Sequence, residues 1–136
     1  MPFPKLTRPH AIRIARRFVT DVLPSETWFQ QTKHTIKAVI LYGSTAKGTN
    51  RPDSDIDLLV LMPLTLEERY TQGEYFYYYD GREINIVIRS IERLRRIAEE
   101  HTDTFQKEVF RGSAIIQDVD GEMTGLIERI AQVKNV

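Results

Sequence analysis

The chain has 136 residues, is 41% hydrophobic and contains no cysteine, which suits one compact domain over residues 1–136 and excludes disulfide frameworks, thiol catalysis and Cys-ligated zinc. Its 19 Lys plus Arg balance 19 Asp plus Glu, so the molecule as a whole lacks the positive field that draws in long nucleic acid. No apolar run approaches the ~18 residues of a membrane-crossing helix and no secretory signal is evident, so a soluble, cytoplasmic protein is expected.

Lys5, Arg8, Arg13, Arg16 and Arg17 all precede the first acidic residue, Asp21. An Arg-rich, acid-poor start can be a transit peptide. The repeat of Ile14, Phe18 and Val22, with Ala11, Ala15 and Val19 beside them, instead favours an amphipathic helix with a basic outer face. Pro9 suits its first turn and Pro24 ends it near Leu23. Trp28 and Phe29 follow in a loop or short helix, where covering the core is their default role. Ile36 to Tyr42 is apolar and β-branched enough for a strand stopping at Gly43, and Asp55 to Met62 forms a second strand closed by Pro63.

A short helix is expected over Thr65 to Thr71. Tyr75 to Tyr79 and Arg82 to Ile88 flank Asp80-Gly81, a dipeptide favoured in two-residue hairpin turns. Ser90 then caps a helix to about His101, with Leu94, Ile97 and Ala98 on its apolar face. A helix near Asp103 to Arg111, a short apolar piece at Ala114 to Ile116 and a last helix over Met123 to Val133 complete the order. It is a mixed α/β arrangement of α+β type with at least one antiparallel pair. His10, His34 and His101 show no metal-ligand spacing.

Chemistry concentrates in residues 42–60, YGSTAKGTNRPDSDIDLLV. Side chains alternate along a strand, so Asp55 and Asp57 share a face with Cα atoms about 6.6 Å apart. Two such carboxylates repel unless a cation lies between them. Hard divalent ions such as magnesium suit carboxylate oxygens, and this spacing can bridge two ions roughly 3.5–4 Å apart. Upstream, Gly43 and Gly48 permit a tight turn with exposed N–H groups, Ser44 adds a hydroxyl, and Lys47 and Arg51 could neutralise phosphate charge.

Gly43-Ser44, Ala46, Gly48 and Ser54-Asp55-Ile56-Asp57-Leu58 together resemble the Gly-Ser…Asp-x-Asp signature of the DNA polymerase beta-like nucleotidyltransferase superfamily, above all its minimal nucleotidyltransferases. Many of those are encoded beside a HEPN-domain partner, and some act as antitoxins by transferring AMP to a toxin. The resemblance implies a mixed, partly antiparallel sheet with helices packed on one face and the metal site on the other. It implies that Gly43 and Ser44 hold the triphosphate of ATP or another NTP, and that Asp55 and Asp57 bind two magnesium ions, with manganese as the alternative. An acceptor hydroxyl would attack the α-phosphorus in line and expel pyrophosphate.

Active members usually carry a third carboxylate on a neighbouring strand. The matching position here is Asn85, whose amide can ligate through oxygen but has no charge and cannot act as a base. Glu83 shares its face, while Ile84, Ile86 and Ile88 form the core side. Glu83 is therefore a candidate substitute ligand. A Tyr79–Arg82 turn pair would set Tyr78 opposite Glu83 and Phe76 opposite Asn85, aromatics that either border the ligand or simply pack across strands. Two readings follow: a magnesium-dependent enzyme moving NMP to a hydroxyl, or a degenerate relative that binds nucleotide and neutralises or regulates a partner by contact. A homo-oligomer is compatible with both, and an aminoglycoside-modifying transferase is a weaker third reading because the chain has little room for extra substrate-binding segments.

Overall fold

The computed structural model describes residues 6–47, 55–63, 75–99, 112–119, 121, 122, 124, 125 and 128. The helices expected over Thr65 to Thr71 and Asp103 to Arg111, and most of the last one, lie outside these residues.

The first helix, α1, spans Arg8–Asp21; Thr7 caps it by accepting from the His10 N–H at 3.3 Å, and Pro9 sits in its first turn. Ala11, Ile14, Ala15, Phe18 and Val19 are buried, while Arg13, Arg16 and Arg17 are exposed, so the basic residues do form the outer face. Pro24 cannot continue the helix and instead lies in a 3-10 turn, Leu23–Ser25. Helix α2, Thr27–Thr32, then buries Trp28 against the same core.

Strand β1 is Ala38–Tyr42, two residues shorter than the apolar pattern predicts. Ile36 is nonetheless buried, and Lys37 already donates its N–H to Leu61 O at 2.8 Å and accepts from Val119 N at 3.1 Å. A four-residue helix, α3 (Ser44–Lys47), follows directly after Gly43. Strand β2 is Ile56–Met62, β3 is Tyr75–Tyr79 and β4 is Arg82–Ser90. Ser90 ends β4 and caps α4, Ile91–Glu99, accepting from Arg93 N at 3.0 Å, so strand passes to helix without a loop. Strand β5, Ala114–Asp118, extends the expected apolar piece by two residues because its backbone pairs with β1.

The sheet has the order β3-β4-β2-β1-β5. Its β2–β4 pair is parallel and its other pairs are antiparallel. The two faces carry different loads. On one, Val39 and Leu41 of β1, alternate residues from Ile56 to Met62 of β2, and Ile84, Ile86 and Ile88 of β4 pack beneath α1 and α2. On the other, Ala38, Ile40, Leu59 and Leu61 are covered by Ile91 and Leu94 of α4. Among the described residues that cover lies over the half of this face where β2 ends. The half where β2 begins carries polar groups. Among the described residues no helix is long and apolar enough to cross a membrane.

Candidate functional site

Antiparallel pairing sets the end of β1 against the start of β2, and parallel pairing sets the start of β2 against the middle of β4. Four residues thus lie side by side across the sheet: Tyr42 pairs with Asp57, Asp57 with Asn85, and Asn85 with Phe76. This row lines a cavity of about 230 Å³, with Ile86 and Val87 completing the wall. The expected hairpin register is observed, with Tyr79 opposite Arg82, Tyr78 opposite Glu83 and Phe76 opposite Asn85.

Asp55 and Asp57 converge through a single side chain. The Asn85 Nδ2 group donates to Asp55 Oδ2 at 3.0 Å and to Asp57 Oδ1 at 3.4 Å. The Oδ1 of the same amide is buried and accepts no hydrogen bond among the described residues. Burial raises the Asp57 carboxyl above its ordinary value of 3.8; the Asn85 hydrogen bond offsets part of this, and the charges of Asp55 and Glu83 add to it. A half-buried carboxylate facing two others is the environment a hard cation relieves, so the donor set of Asp55 and Asp57 fits a divalent ion. Among the described residues no cluster of three or more His, Cys, Asp or Glu is placed to hold a metal. The charge of Glu83 reaches Asp57 from the same face of β4 as Asn85.

Gly43 is required here for two reasons. Its φ of +80° belongs to the left-handed region, and a Cβ on it would lie 2.8 Å from Asp57 Oδ2. The turn and the carboxylate are thus packed as one unit. Thr45, just beyond it, is fully buried, and its Oγ1 has no hydrogen-bond partner among the described residues. Ser44 and Lys47 are the first and last residues of α3, with side chains outside the described set; Gly48, Arg51 and Ser54 lie outside it altogether.

The aromatic run divides by strand alternation. Tyr75, Tyr77 and Tyr79 pack against the α1–α2 core, which is the cross-strand packing role. Phe76 and Tyr78 project from the other face at 58% and 82% exposure, so core packing does not account for them. Phe76 borders the cavity, as does Tyr42, a residue the motif did not mark; its place opposite Asp57 depends on strand order, which no local pattern carries.

Residues 29–109 match the family described as "Nucleotidyltransferase domain". A nucleotidyltransferase-like protein from Exiguobacterium sibiricum 255-15 shares the fold, with a TM-score of 0.56 at 11% identity over 91% of this chain. The chain spans 39% of that protein's length. No curated protein matches the chain.

Proposed function

The chain belongs to the nucleotidyltransferase domain family, and on that premise we propose that it moves NMP from an NTP, ATP foremost, to an acceptor hydroxyl with the help of magnesium or manganese. The observation that carries this reading is the convergence of Asp55 and Asp57 beside the Gly43 turn, where Asp57 Oδ2 fills the space a Cβ would take. In this reading Asp55 and Asp57 hold the metal. Divalent metal supplies neutralisation of the triphosphate and of the charge that builds up on its α-phosphorus.

Gly43 and Ser44 cradle the triphosphate, and Lys47 and Arg51 add positive charge beside it. The acceptor oxygen bonds to the α-phosphorus while the bond to the bridging oxygen breaks, and pyrophosphate leaves with that electron pair. The acceptor must also lose its proton. Asn85 cannot take it, so we assign proton removal to Glu83, the carboxylate on the same face of β4. Glu83→Gln should then abolish transfer.

Asn85 also favours a second reading, in which the chain binds nucleotide but neutralises a HEPN-type partner by contact. One assay separates the two. Label from α-phosphate-labelled ATP is followed into host lysate with wild type, with Asp55→Asn plus Asp57→Asn, and with Asn85→Asp. Transfer by wild type that the double variant loses supports the enzyme. Transfer by Asn85→Asp alone supports the binding protein, whose neutralisation of its partner should survive the double substitution.

A further inference from the structure

The Asn85 amide spends both of its N–H groups on the carboxylate pair, while its buried Oδ1 accepts nothing among the described residues. Turning the amide over would press its oxygen against two carboxylates, so Asp55 and Asp57 themselves fix its orientation. The parallel register holds it there, because Asn85 and Asp57 are paired on adjoining central strands.

What position 85 presents to the pair is equally specific. An aspartate there would add a third carboxylate in direct contact with both Asp55 and Asp57, a ligand set suited to more than one divalent ion. The amide instead meets both acids with N–H groups, which repel a cation from that side of the pair. We propose that the Asn85 amide stands in for one of the two cations that the Asp-x-Asp pair could otherwise hold, so that Asp55 and Asp57 take a single divalent ion, the one that arrives on the triphosphate. This rests on the nucleotide-binding reading above. Its consequence is that no second ion sits against the acceptor hydroxyl, and activation of the acceptor is left to side chains alone.

Native mass spectrometry of the full chain with manganese and a non-hydrolysable ATP analogue counts ions per nucleotide-bound chain directly. One manganese is expected on wild type and two on Asn85→Asp, a doubling that activity need not accompany. Two on wild type would overturn the proposal and leave nucleotide binding standing. An equal count of one on both proteins would also overturn it, since residue 85 would then not set the number. If neither protein carries the analogue, the nucleotide-binding reading fails and takes this proposal with it. Should Asn85→Asp fail to fold by circular dichroism, the wild-type count decides alone.

Discussion

At the scale of single residues, Gly43 and Asp57 are one device. Gly43→Ala is expected to cost about 1–2 kcal/mol for its left-handed backbone alone, and its new methyl must also displace the Asp57 carboxylate. Gly81→Ala is the natural control, because Gly81 shares a positive φ, +75°, yet has nothing within 4 Å of an added Cβ. Urea denaturation should show the larger loss for Gly43→Ala, and binding of an ATP analogue should weaken only there. Asp57 adds a pH prediction. Because its folded carboxyl titrates above 3.8, the folded chain keeps a proton that the unfolded chain releases. This contribution to stability is complete below 3.8 and is lost as pH rises through the folded value. In the presence of chelator, Asp57→Asn should therefore be more stable than wild type at neutral pH, and acid urea titrations should show the gap closing.

At the scale of elements, β3 is held by aromatic contacts with α1 and α2. Trp28 Nε1 donates to the Tyr77 hydroxyl at 2.8 Å, and its ring stacks on Tyr75 with centroids 4.8 Å apart. Phe18 meets Tyr77 and Tyr79 at 5.1 and 5.7 Å. Tyr77→Phe leaves the indole N–H unpaired and should cost about 1–2 kcal/mol, whereas Trp28→Ala removes the whole buried ring and should cost about 3–5 kcal/mol. Both are read by chemical denaturation. The hairpin itself was legible because Asp80-Gly81 and the strict alternation of Ile84, Ile86 and Ile88 are local signals. The cooperation of Trp28 with Tyr77, 49 residues away, was not, and neither was the reach of β5 to Asp118. Such features depend on which strand lies next to which. The same division runs through the site: strand period predicts a shared face for Asp55 and Asp57, yet β2 begins only at Ile56 and Asp55 lies just before it, so the two acids meet through the Asn85 amide, whose place needs the β2–β4 register that only the folded sheet displays.

At the scale of the whole molecule, the sheet separates stability from chemistry by its two faces. The α1–α2 side and the α4 end carry the apolar burial, and the polar row from Tyr42 to Phe76 occupies the remaining part of one face. A carboxylate pair set half-buried among like charges does not serve folding. Replacing both acids should therefore leave the core intact. The Asp55→Asn, Asp57→Asn chain is expected to melt no lower than wild type in chelator, because two amides at the site of mutual repulsion remove a destabilising charge pair. The order should change when manganese and the ATP analogue are added. A ligand at 100 times its Kd stabilises by about 2.7 kcal/mol, and only the wild type should show that rise. Thermal melts of both chains, with and without manganese and analogue, check this directly. A double variant that unfolds in chelator would mean that the acids support the fold, whereas an equal rise in both chains would place the nucleotide away from the row.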